Sequence, residues 1–168
     1  MALEQGERQQ ASMVTVWPNP QNDTELIVSN RSLDPVSNAF MTVYPGRKIE
    51  GEGFGFQTFG GKQVDIAFPG GLAPCTQYKI TLEGIKKTAS LGSAEKADVL
   101  HFQLFSFADS SGHSWARDSN YQLSDREGER TEFDFETGGR GYSILTYWNQ
   151  LARNGVETEL ITECGPKG

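Results

Sequence analysis

The chain has 168 residues, of which 36% are hydrophobic, and it carries a formal net charge of −7. That length fits one domain with a core of its own. The acidity argues against nucleic acid and anionic membrane surfaces as partners, because both need a cationic patch and the largest basic feature here is only Lys86-Lys87.

Cys75 and Cys164 are too few for a disulfide-dense scaffold. Two free thiols in a reducing compartment are the expectation, and one long-range disulfide is the alternative. No apolar stretch approaches the roughly 18 residues of a membrane span, and Met1 to Gln10 lacks the apolar centre of a signal peptide. These features suggest a cytoplasmic protein with no membrane span of its own. A chain tethered through an upstream anchor, or a secreted one trimmed of its signal, would read the same.

Residues 1–11 are polar and read as a helical lead-in or a disordered arm, since so short a segment is only marginally helical alone. Met13 to Trp17 is rich in β-formers and meets a breaker at Pro18-Asn19-Pro20. Leu26-Ile27-Val28 is a second strand, and Asp34-Pro35 a turn. Ala39 to Tyr44 is a third strand, closed by Pro45-Gly46.

The glycine-rich run from Gly51 to Gly61 matches no dinucleotide fingerprint and is not followed by a helix. Its Phe54, Phe56 and Phe59 read as a plug over the open end of the core, or as an apolar contact surface for a partner. Val64, Ile66 and Phe68 then alternate with polar or small residues, as do Tyr78, Ile80 and Leu82. Strict period two marks half-buried antiparallel strands. Val99 to Phe107 is apolar on both faces and predicts a central strand. A turn at Asp109-Ser110-Ser111-Gly112 returns it to a hairpin partner over His113–Arg117.

About seven strands with no helix between them predict an all-β fold: a two-sheet sandwich with Greek-key connections. A small barrel is the alternative. The sandwich is assigned to residues 12–125. Residues 126–168 are read as a C-terminal extension packed on it. Within the extension, Phe133 and Phe135 suggest a strand, and Ile144, Leu145, Trp148, Leu151 and Ala152 form one face of a short helix capped by Ser143. Val156 to Ile161 predicts a final strand.

Three segments carry a resemblance. Val28-Ser29-Asn30-Arg31-Ser32-Leu33-Asp34-Pro35-Val36 is similar to the V-x-N-x-S-x-x-P-V start of many bacterial immunoglobulin-like domains. Leu72-Ala73-Pro74, leading to Tyr78 and Ile80, resembles the L-x-P-G-x-x-Y approach to a later strand of fibronectin-III-like modules, with Cys75 where glycine is common. Phe105 to Asp118, continuing to Tyr121-Gln122-Leu123, looks like an F-x-D-x-x-G-x-x-W-x-R-D-x-x-x-x-L hairpin of uncharacterised actinobacterial immunoglobulin-like domains. The resemblance spans roughly residues 12–123 and implies an immunoglobulin-like sandwich. It implies no activity. Domains of this kind often follow a membrane anchor or helical stalk, whose end residues 1–11 would suit.

Candidate chemistry is sparse. Ser, His and Asp between Asp109 and Asp118 sit on one hairpin turn, where they are ordinary turn formers rather than a converging triad. His101 is mid-strand and reads as a structural or surface histidine. Two histidines and two distant cysteines match no zinc spacing, and Asp109, Asp118 and Asp125 lack a calcium-loop pattern. No cofactor is expected. The sequons at Asn22 and Asn30 are discounted. Trp115 and Arg117 share a strand face, which suggests indole–guanidinium packing. With Tyr121 they could instead form a ligand platform.

The leading expectation is a non-catalytic protein-interaction or sensory accessory module. A carbohydrate- or small-ligand-binding module using exposed aromatics is the second, and a hydrolase with an unrecognised site the third.

Overall fold

Strands apolar on one face need a second apolar surface to cover it. The computed structural model describes residues 2–48, 56–58, 64–88, 96–126, 151–153 and 155–165, and it meets that need with two antiparallel sheets. In chain order the elements are helix α1 (Ala2–Ser12) and strands β1 (Val14–Asn19), β2 (Asn22–Asn30), β3 (Ser37–Lys48), β4 (Phe56–Thr58), β5 (Val64–Phe68) and β6 (Thr76–Thr81). Then come helix α2 (Leu82–Thr88) and strands β7 (Val99–Ala108), β8 (Ser114–Arg117), β9 (Leu123–Asp125) and β10 (Val156–Leu160).

One sheet runs β1-β2-β6-β10. The other runs β4-β3-β7-β8-β9, with β5 also paired to β3. Every pairing is antiparallel. Alternation sends Val14, Val16, Leu26, Val28 and Ile80 from the first sheet, and Met41, Val43, Ile66, Phe102 and Phe105 from the second, into one core cluster. This is the expected all-β sandwich. No helix among the described residues is long and apolar enough to cross a membrane.

Four features depart from the sequence reading or decide between its alternatives. First, α2 stands between β6 and β7, where no helix was expected, and the strand read through Leu82 stops at Thr81. Leu82 continues the apolar alternation of β6, yet Thr81 Oγ1 accepts the Gly84 amide at 3.0 Å and caps a helix. Glu83 in its first turn and Lys86 and Lys87 in its last complement the helix dipole. Leu82 and Ile85, three residues apart, are both buried.

Second, β3 runs through Pro45 to Lys48. On one side β5 ends opposite Val43 and β4 begins opposite Gly46, so Pro45 falls between the two and its missing N–H breaks neither ladder.

Third, of the two readings of the N-terminal segment, helical lead-in or disordered arm, the helix α1 is the one observed. It docks through Ala11, which is fully buried, and Gln10. Tertiary packing supplies the stability that its length cannot.

Fourth, Cys75 and Cys164 are not free thiols. They form a disulfide with Cα atoms 5.5 Å apart and 89 positions between them. Neither sequence spacing nor polarity could reveal that the end of β10 returns to the start of β6, because only the β6–β10 pairing places it there.

The final strand thus joins a sheet, in register from Val156 against Ile80 to Leu160 against Thr76. Of the helix expected before it, Leu151 to Arg153 are helical, with Leu151 fully buried. Gly155 N donates to Leu151 O at 2.8 Å as the chain turns into β10. Residues 143–150 of that helix, the Phe133–Phe135 strand, and Phe54 and Phe59 lie outside the described residues.

A Cβ on Gly155 would stand 2.3 Å from the Gly84 Cα, against backbone that cannot yield. Gly155→Ala should therefore cost about 1–3 kcal/mol of unfolding free energy, measurable by denaturant titration; an unchanged midpoint would deny the close approach. Reduction, or Cys164→Ser, should cost about 2–4 kcal/mol. Denaturing alkylation should label no thiol until a reductant is added.

Candidate functional site

The side chains with most chemical potential gather at one end of the sandwich, around the β7–β8 hairpin and the crossover from β2 to β3. The hairpin turn is organised by Asp109, which is 2% exposed. Its Oδ1 accepts from Ser111 N (3.0 Å), Ser111 Oγ (2.7 Å) and His113 N (2.9 Å). Its Oδ2 accepts from the Trp115 indole N–H at 2.8 Å. Burial pushes the Asp109 carboxyl up, but the bonds from Trp115, Ser111 and His113 together outweigh it, and the pKa lies below the ordinary aspartate value. Asp109 is therefore an anion whose acceptor capacity is spent on the turn.

Gln10 joins this turn to the crossover. Its Oε1 accepts from Ser110 N and Ser110 Oγ, each at 2.9 Å. Its Nε2 is 3.4 Å from Ser32 Oγ, Asp34 O and Pro35 O. Beneath it, fully buried Asn30 donates to Asp34 O (2.9 Å) and Leu72 O (3.2 Å) and accepts from Ser32 N and Ser32 Oγ. The Asn30 sequon thus offers no accessible amide.

The approach to β6 completes this end. Cys75 adopts φ 52°, the left-handed conformation that glycine supplies without penalty. A Cβ on Gly71, at φ 76°, would stand within van der Waals radii of Val36 O, so only glycine fits there.

The aromatic and basic candidates are committed to structure. Trp115 is 5% exposed and belongs to the core. Arg117 donates from Nε to Val14 O (2.7 Å), from one terminal nitrogen to Tyr121 O (2.9 Å), and from the other to Ser12 O (3.2 Å). It clamps the α1–β1 junction to the hairpin. Burial lowers its pKa.

Tyr121, at φ 64°, stacks on Phe102 with ring centroids 5.3 Å apart, and is 36% exposed. It is the most exposed member of the expected platform, with Arg117 half-buried and Trp115 buried. Phe56 lies in β4, and Phe54 and Phe59 lie outside the described residues. His101 is partly buried, and burial lowers its pKa.

Two pairings escaped the sequence reading. His113 Nε2 lies 2.8 Å from Asp125 Oδ1, and the His113 ring tilts against Trp115 at 4.8 Å. Nothing local links positions 113 and 125; the β8–β9 pairing, in which Asp125 faces Trp115, brings them together. Ser111 Oγ donates to Asp109 Oδ1. Asp118 accepts from Asn120 N and Gln122 N in its own turn. The three aspartates first weighed as calcium ligands therefore serve three separate local roles.

No protein-family model, curated protein or solved structure matches the chain significantly.

Asp109→Asn keeps the shape but aims an amide N–H₂ at one set of donors, for an expected loss of about 1–3 kcal/mol. The sign of the pH effect follows from the depressed carboxyl pKa. Stability from Asp109 is present above about pH 4, the unfolded value, and is lost as pH falls through the lower folded value. Denaturation midpoints between pH 6 and pH 2 (roughly bracketing that carboxyl range) should fall more steeply for the native protein than for the variant. Parallel curves would show that Asp109 is not the titrating group.

Proposed function

We propose that the chain is a non-catalytic interaction module with an immunoglobulin-like sandwich. The observation that carries this reading is the use of its chemically capable groups. Asp109, Trp115, Arg117, Gln10 and Asn30 direct their polar atoms at neighbouring backbone and side chains, in bonds that hold one end of the fold together. Groups saturated in this way position a surface; they are not free to exchange protons or attack a substrate.

The winding supports the finer fold reading. β1, β2 and β6 are neighbours in one sheet, while β3, β7 and β8 are neighbours in the other. This order resembles the Greek key of immunoglobulin-like sandwiches and supports that reading, with β10 beside β6. The disulfide supports an oxidising compartment over the cytosol expected from sequence. The glycan-binding alternative draws less support, because Trp115 is enclosed and Arg117 is engaged.

The test combines binding with turnover. A partner isolated with the disulfide-bonded protein should rebind it, once purified, with micromolar or tighter Kd by calorimetry. Reporter esters, phosphate esters and glycosides should be hydrolysed no faster than in buffer. Hydrolysis above that rate, abolished by His113→Ala, would overturn the reading in favour of an enzyme built on the His113–Asp125 pair.

A further inference from the structure

Among the described residues β10 is the outermost strand of its sheet, and it is exposed from Glu157 to Leu160. The backbone bonds at its two ends fix the ladder. Thr81 N donates to Gly155 O (3.2 Å), and Ile161 N donates to Cys75 O (2.8 Å). In an antiparallel pair, hydrogen-bonded and non-bonded positions alternate. Glu157 and Glu159 therefore bond to β6, opposite Lys79 and Gln77. The N–H and C=O groups of Val156, Thr158 and Leu160 point the other way, along the open edge. Among the described residues nothing is hydrogen-bonded to them.

The side chains of β10 are divided just as sharply. Val156, Thr158 and Leu160 share the core-side face with Ile80, Tyr78 and Thr76, which are buried. The sheet nevertheless overhangs the core here, for Leu160 is 78% exposed. Glu157 and Glu159 occupy the opposite face. Glu157 is paired with Lys79 at 3.2 Å, and the same contact raises the lysine pKa.

This pattern selects among occupants. A second copy, paired antiparallel about Thr158, would set Glu157 directly against Glu159 of its mate, and like charges opposite one another are destabilising. The chain's net charge of −7 adds to that repulsion. A strand with basic residues beside the glutamates and apolar residues beside Leu160 has the opposite sign of interaction on both faces.

We infer that the edge of β10 docks an extended protein segment of alternating basic and apolar residues, which adds a fifth strand to the four-stranded sheet. The inference rests on the interaction-module reading and names its partner by chemistry. The disulfide, placed one turn beyond β10, holds the receiving edge in register while its outer groups stay open.

The test uses the full, disulfide-bonded chain labelled with nitrogen-15. The probe is a blocked hexapeptide alternating lysine and valine, and its control alternates glutamate and valine. The lysine peptide should shift the amide resonances of Val156, Thr158 and Leu160, more strongly at low salt than at high. The glutamate peptide should shift none of them. Thr158→Pro removes one outward N–H without touching the β6 ladder and should weaken binding at least tenfold, with the disulfide and the remaining spectrum preserved. Glu159→Lys should reverse the preference between the two peptides. Equal binding of both peptides, undiminished binding to Thr158→Pro, or no shift in β10 would each overturn the proposal. Shifts clustered elsewhere on the surface would also overturn it, while leaving the interaction-module reading intact.

Discussion

The architecture at one end of this sandwich depends on a single buried amide. Asn30 ends β2 where the chain leaves one sheet for the other, and its four hydrogen bonds set the path of that crossover. A crossing strand exposes backbone groups that no ladder can satisfy, and burying them unpaired is costly. Asn30 satisfies Asp34 O and Leu72 O directly. The carbonyls left over are then taken up by other segments. Arg31 O receives Gly165 N, and Ser32 O receives Cys75 N. Met13 O receives Arg31 N from the start of β1. A loop of a few residues thus fastens both ends of the chain and the approach to β6.

That arrangement explains why the V-x-N-x-S-x-x-P-V segment reads as a unit. The asparagine and serine are spaced for side-chain bonds across a turn. Pro35 contributes the carbonyl that meets Gln10, and Val36 bridges to Leu72. The hairpin segment reads as a unit for a parallel reason. Its aspartate is six positions before its tryptophan, which places the carboxylate beneath the indole once the turn closes. Both motifs encode buried polar satisfaction.

The sheet strands were legible wherever side-chain alternation was local. β5 through Val64, Ile66 and Phe68, and β7 with its hairpin partner β8, fall where the pattern placed them. The elements that were misread depend on information the pattern does not hold. α2 begins on a residue that keeps the strand's alternation, so the capping threonine had to outweigh the period. β9, only three residues long, carries no periodic signal. The disulfide and the β10 edge follow from a pairing whose partners stand 76 positions apart at Ile80–Val156 and 84 apart at Thr76–Leu160. The surface picture shifted for a related reason. Trp115 and Arg117 looked available because their strand face was known but the depth of the face was not.

The bond between Cys75 and Cys164 makes a covalent ring of everything from the start of β6 to the end of β10. That ring contains both central contributors to the two sheets, β6 and β7, together with the Asp109 turn. A single peptide-bond cleavage inside it, at any exposed loop, leaves the two fragments joined and still threaded through both sheets. After one such cut, the fragments separate only when the disulfide is reduced as well. A single proteolytic cut within the ring would nick the chain without releasing a piece of it.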